Sequence, residues 1–444
     1  MPQNAAPVQR RSRARWEQRF GWRWLYPGVR LKRWLFLLLL SAVVIGVGIS
    51  GMMGDVFRNF EVKVIDVRPL AKQIQSLRFV DFMLLALGLA GAVLAFRRGL
   101  YSVLTVLMPA RESEYVTVAL KRLRLKRGPR LVAIGGGTGL PALLSGLKEY
   151  TANISAIVAM SDDGGSSGRL RREYRTLPPG DLRNCLVALA ETSPLLSQLF
   201  QHRFRGEGGG IEGHSFGNLF ITALGEITGD FASGVKAASQ VLAVSGQVLP
   251  VTVDPVSLEA ELADGTVIKG ESQIGRSGGP VQRLRLVPPD VRPTPETRQA
   301  IAEAEAIIIG PGSLYTSILP NLLVPGIAED IAASNAVKIY VCNVMTQPGE
   351  TDRLTLLDHV RILREHTRPD LIQYVLANTE MPGQDVLTRY AQMKAEPVLP
   401  RAEDAAQLEN WGMTLIRARM AGGEDFFRHR PGQLARVIMK LIVI

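Results

Sequence analysis

The chain has 444 residues and a formal charge of +11, which is length enough for two or three domains. Two cysteines, Cys185 and Cys342, exclude a disulfide framework, and five histidines without ligand spacing give no reason to expect a metal centre. The positive charge is segregated: residues 1–33 carry nine Lys/Arg against one Glu, residues 97–130 carry nine against two, and residues 131–444 are net acidic. A nucleic-acid-binding surface would put that charge on the globular body. Its position at the flanks of an apolar region argues for a membrane and against nucleic acid.

Residues 1–33 read as a basic cytoplasmic tail. Residues 34–53 form an uncharged run of 20, long enough to cross a hydrocarbon core of about 30 Å. Trp22, Trp24, Tyr26 and Trp34 cluster at its entrance, as interfacial aromatics do. A second run, 79–96, is interrupted only by Asp81 and closed by Arg97 and Arg98. Residues 34–98 are therefore expected to be a transmembrane hairpin of an inner or plasma membrane, with 54–78 outside and both termini and the main domain cytoplasmic. The competing reading, a cleaved leader, fits poorly: the apolar run is too long and no Ala-x-Ala follows it. Residues 99–129 read as a juxtamembrane basic linker, with 99–110 interfacial or a connecting helix.

From residue 130 the pattern changes. Short apolar runs at 131–134, 154–160, 306–309, 337–341, 371–377 and 413–416 alternate with helical stretches. Such alternation predicts βαβ units, hence an α/β fold with a doubly wound, mostly parallel Rossmann-like sheet over 130–444. The stretch 241–289 is rich in Val, Gly and Pro and alternates in places (Val251-Thr252-Val253, Thr266-Val267-Ile268), so it is expected to be an antiparallel β insertion.

The chemistry is expected at the strand ends. Gly135-Gly136-Gly137-Thr138-Gly139 joins the first buried strand to an amphipathic helix. Glycines there reach left-handed torsions and leave amides bare for a phosphate, which the helix N-terminus also attracts. Gly137-Thr138-Gly139-Leu140-Pro141-Ala142 fits the loose G-x-G-x-x-A dinucleotide pattern, a weak signal that many unrelated loops match, so an NAD-like ligand stays open. The second strand runs into Asp162-Asp163-Gly164-Gly165-Ser166-Ser167-Gly168-Arg169. One of its carboxylates can take a ribose or a divalent ion, its Gly/Ser run an anion, and Arg169 can pair with that anion. Asp181, after Leu177-Pro178-Pro179-Gly180, is either a helix cap or a metal or substrate group. His214 and Asn218, in Gly213-His214-Ser215-Phe216-Gly217-Asn218, are candidate ligand-bonding groups. Neighbouring His214 and Ser215 make poor geometry for a nucleophilic pair. Gly310-Pro311-Gly312-Ser313-Leu314-Tyr315-Thr316 repeats the strand, glycine turn and helix logic, which suggests a ligand with a second polar group. Asn343-Val344-Met345-Thr346-Gln347 supplies amides for a pocket rim. No Walker loop is present.

Taken together, the Gly135–Gly139 loop, Asp162 to Arg169, Leu177 to Asp181, Gly213 to Asn218 and Gly310 to Thr316 resemble the YvcK/CofD-like family, more closely its gluconeogenesis-factor branch. The resemblance covers residues 130–375 well and the remainder more weakly. It implies a Rossmann-like domain that binds a nucleotide sugar, UDP-N-acetylglucosamine, and supports cell-wall synthesis, cell shape and growth on gluconeogenic carbon. Such a protein is a regulator rather than an enzyme, with cell-wall synthesis proteins as partners and a homo-oligomeric state by analogy. The alternative it implies is phospholactyl transfer onto a deazaflavin precursor, with Mg2+ at Asp162, Asp163 or Asp181. Carried over by motif, Gly136–Gly139 hold phosphate, Asp162 or Asp163 meets ribose or metal, Asp181, His214 and Asn218 line the far side, and Gly312, Ser313 and Thr316 meet the second polar group.

Overall fold

The computed structural model describes residues 31–61, 71–107, 123–191, 193–205, 210–276, 279–423 and 425–442. The basic tail before residue 31, the segment 62–70 and most of the linker, 108–122, lie outside the described residues. The chain divides into two units, 1–119 and 120–444.

In the first unit, helices α1 (Leu31–Glu61) and α2 (Ala71–Leu107) pack on each other. Arg33–Ser50 and Phe79–Leu100 are long and apolar enough to cross a membrane. Both helices outrun the expected spans. α2 continues without a break through 99–107, where an interfacial element or a separate connecting helix was expected. The reason is physical: hydropathy marks where the apolar run stops, whereas the i to i+4 hydrogen bonds continue until a breaker intervenes, and neither flank holds a proline.

The second unit is built on seven parallel strands in the order β10-β9-β8-β7-β1-β2-β3. These are β1 (Leu131–Gly135), β2 (Ile154–Val158), β3 (Gln247–Pro250), β7 (Ala306–Ile309), β8 (Val337–Val341), β9 (Tyr374–Asn378) and β10 (Thr414–Ala418). β1 and β7 are buried at every residue, because a parallel sheet covered on both faces admits only apolar side chains. Helix α3 (Gly139–Leu147) explains itself by spacing: Leu140, Leu143, Leu144 and Leu147 fall on one face and are fully buried. Each such leucine contributes about 1.5–3 kcal/mol through removal from water.

Strands β4 (Ser257–Leu262), β5 (Val267–Lys269) and β6 (Val281–Val287) form a separate antiparallel sheet in the order β5-β4-β6. Leu258, Ala260 and Leu262 alternate into the core. The expected insertion, 241–289, thus needs correcting at its start: Gln247–Pro250 is the edge strand of the parallel sheet, paired with β2. Four residues carry too little pattern to say which sheet they join, and the composition of 241–289 does not change between this strand and the insertion proper. Val251-Thr252-Val253 lies beyond it and forms no strand.

Candidate functional site

The chain leaves β1 for β2 and β3 on one side, and returns through β7 to β8, β9 and β10 on the other. The C-terminal ends of β1 and β7 are therefore adjacent at the point where the strand order reverses, the place where open α/β sheets bind ligands. Both ends carry glycine turns. Gly137 has φ +61°, a left-handed torsion that costs glycine nothing. A Cβ on Gly139 would stand 2.5 Å from the Pro311 carbonyl oxygen, so the first turn is seated against the second only because that position has no side chain.

Around the first turn stand the residues that follow β2. Asp162 accepts a hydrogen bond from Gly164 N–H (2.9 Å), and Asp163 accepts one from Ser272 N–H (2.9 Å), tying this loop to the β insertion. Helices α4 (Gly165–Tyr174) and α5 (Gly180–Leu189) begin here, joined where Gly180 N–H donates to Ser167 Oγ (3.2 Å). Asp181 does not cap α5. Its carboxylate reaches across to accept from Gly137 N–H at 2.6 Å, so the capping alternative gives way to a bridge between two loops. The rigid Pro178-Pro179 entry sets the start of α5 beside the first turn, and that amide is the donor within reach.

A buried polar network lies behind this group. Ser166 Oγ is 3.0 Å from His214 Nδ1 and accepts from Asn218 Nδ2 at 3.0 Å. Arg183 donates to Asn218 Oδ1 (3.0 Å), to Ser215 Oγ and to Asn184 Oδ1 (2.9 Å). Ser215 also caps helix α6 (Phe216–Thr228) by accepting from Asn218 N–H. His214 and Asn218 thus spend polar atoms on Ser166 and Arg183. Arg169 points elsewhere: its guanidinium donates to the Glu212 carbonyl. Arg183, buried at the centre of this network, is a site residue that sequence reasoning missed, because a mid-helix arginine gives no sign that it is buried.

At the second turn, the chain after Ser313 opens as a π-helical turn, Leu314–Ile318, where an ordinary helix start was expected. Ser313 Oγ accepts from Gln347 Nε2 (2.7 Å), and Thr316 Oγ1 donates to Glu350 (3.3 Å). Tyr315 is structural, its hydroxyl donating to the Val281 carbonyl.

Carboxylates dominate the electrostatics. Burial, opposed by the Gly137 amide and augmented by Asp162, pushes Asp181 up to about 6. Burial, with Asp162, Asp181, Asp163 and Glu350 adding to it, pushes Glu271 up to about 9, and its Oε2 is buried without a hydrogen-bond partner. Burial takes Glu350 to about 7, with Thr316 pulling the other way. Sequence reasoning missed Glu271 entirely, since it lies far along the chain in the insertion.

A cavity of about 290 Å3 opens between Gly137–Gly139, Pro311–Ser313 and the loop after β8. Met345, Tyr390 and Met393 give it apolar lining, Asn343, Thr346 and Gln347 polar lining, and Arg428 and His429 also line it. Tyr390 and Arg428 come from the C-terminal region, where no motif flagged them. A larger cavity of about 1370 Å3, walled in part by Glu350 and Tyr315, shares Pro348 and Ala395 with the first.

The family model for 2-phospho-L-lactate transferase CofD matches residues 131–421. The chain belongs to the CofD/YvcK family. A relative from Nostoc sp. is 45% identical over 451 residues, covering 98% of this chain and 96% of its own. The Bacillus subtilis gluconeogenesis factor is 46% identical, with 71% of this chain and 98% of that protein covered. A crystal structure of a Bacillus halodurans protein superposes with a TM-score of 0.68 at 46% identity, covering 70% of this chain and all of that one. Membership in the family accounts for the Rossmann-like sheet and for the company its glycine turns keep.

Proposed function

We propose that the second unit binds a nucleotide sugar resembling UDP-N-acetylglucosamine and acts as a regulator, tethered to the membrane by α1 and α2, that supports cell-wall synthesis and cell shape on gluconeogenic carbon. The observation that carries this reading is the cavity at the strand-order reversal, where bare glycine turns meet apolar lining and one arginine. A planar base suits Met345, Met393 and Tyr390, and Asn343, Thr346 and Gln347 line the same cavity with polar side chains. Arg428 and the turn amides suit a diphosphate. The gluconeogenesis-factor names of the relatives agree with the metabolic part of the reading. The tether rests on the two apolar helices and on the flanking positive charge.

Calorimetric titration of the detergent-solubilised full chain with UDP-N-acetylglucosamine tests it, with NAD+ and GTP as comparators. The expected result is selective binding that weakens in Arg428→Ala and returns the ligand unchanged. Absence of binding, or equal binding of all three, overturns it.

A second reading, phospholactyl transfer, is favoured by the carboxylates around Asp162, Asp181 and Glu271 and by the name of the family model. Among the described residues no three His, Cys, Asp or Glu side chains are grouped to hold a metal ion. Mg2+ would therefore arrive with the ligand's phosphates and meet Asp162, Asp163 or Asp181, supplying charge neutralisation. Turnover, read as a new phosphodiester product, separates this reading from the first.

A further inference from the structure

A glycine turn at a helix start is an anion site because its amides face outward unpaired. In this structure one of them is not unpaired. Gly137 N–H points at Asp181 Oδ2, 2.6 Å away, a short charge-assisted contact. The same oxygen would stand 2.6 Å from a Cβ on Gly136, so it rests against bare backbone in the space the glycines keep open. No ion pair to Asp181 is found among the described residues. Arg183, two residues on along α5, directs its donors to Ser215, Asn218 and Asn184. Arg183 therefore acts on Asp181 only through space, lowering its pKa, while Asp162 from the loop after β2 raises it. The turn is thus filled by an acidic side chain belonging to the chain itself.

We propose that Asp181 is an internal competitor for the glycine turn, an intramolecular carboxylate that closes Gly137 to free phosphate and must leave the amide before a ligand's phosphate can take it. This makes Asp181 a specificity-determining residue. Inorganic phosphate and diphosphate, which bring nothing but charge, are rejected. A ligand held also by Met345, Tyr390 and Gln347 in the cavity has other contacts with which to displace the carboxylate. The inference rests on the nucleotide-sugar reading for the identity of the selected ligand, though not for the behaviour of the turn.

The test is calorimetric titration of the full chain in EDTA with two probes, inorganic diphosphate and UDP-N-acetylglucosamine. The wild type is compared with Asp181→Asn, which keeps an acceptor for Gly137, and with Asp181→Ala, which leaves the amide open. The expected result is diphosphate binding at least tenfold tighter in both variants than in the wild type, with thermal melting confirming that each is folded. Unchanged or weaker diphosphate binding in folded variants overturns the competitor role, whatever the nucleotide sugar does. Tighter diphosphate binding with no nucleotide-sugar binding in any form keeps the competitor and overturns the ligand reading. If neither probe binds any of the three proteins, both fall.

Discussion

The two glycine turns look alike in sequence and behave differently in space. Gly135–Gly139 feeds an ordinary α-helix and spends its Gly137 amide on Asp181. Gly310–Thr316 feeds a π-helical turn and directs its hydroxyls at Gln347 and Glu350. A shared local pattern therefore specifies a tight strand-to-helix turn and nothing about what the turn faces. That is decided by residues brought in from elsewhere: Asp181 from α5 in one case, the loop after β8 in the other.

The sharpest way to break this comparison is to add a methyl group to each turn. Gly139→Ala places Cβ against the Pro311 and Gly312 backbone at 2.5–3.1 Å, which cannot yield without separating the turns. A loss of about 1–3 kcal/mol is expected, read as a lower denaturation midpoint, together with loss of ligand binding. Gly312→Ala meets the Ser317 side chain at 3.2 Å and should cost clearly less. Equal effects would mean that the turns are not seated as described.

Next in size is the ligand side. Arg428→Ala should weaken nucleotide-sugar binding by about 1.5–3 kcal/mol, the range for a charge-assisted bond, with stability little changed. Unaltered affinity would move the diphosphate away from Arg428.

The carboxylates give a pH signature. Glu271 is held at about 9, above its unfolded value, so its contribution to stability is fully present below the unfolded pKa and is lost as pH rises through about 9. Glu271→Gln should therefore raise the melting temperature at pH 9, on the order of 1–2 kcal/mol, and leave it nearly unchanged at pH 4. A variant equally stabilised at both values would assign the effect to packing. The smallest change expected is Thr316→Val. It removes the donor that pulls Glu350 down, so stability should fall by less than about 1 kcal/mol, more at pH 8 than at pH 5.

What could be read from the sequence follows range along the chain. β1, β2, β7 and α3 were legible because runs of buried Val, Ile and Leu and a leucine face are local properties. The loops at their ends were legible for the same reason. The partnership of Gly137 with Asp181 spans 44 residues, and that of Asp163 with Ser272 spans 109, so neither leaves a mark in spacing. Tyr390 and Arg428 sit in ordinary helical and polar contexts, and only the closing of the sheet brings them to the cavity. β3 falls inside the expected insertion because its four residues do not show which sheet they join; its pairing with β2, 92 residues earlier between Ser155 and Gln247, decides that.

The two cysteines have a use that composition alone did not suggest. Cys185 is fully buried on α5, the helix that carries Asp181 and Arg183, and Cys342 is buried where β8 gives way to the Asn343–Gln347 loop. Burial pushes both thiols up, so neither is reactive while its element stays closed. Alkylation under native conditions then reports the opening of α5 and of the β8 loop separately, each rate measuring the local free energy of exposure. The molecule carries, already in place, one kinetic probe beside each glycine turn.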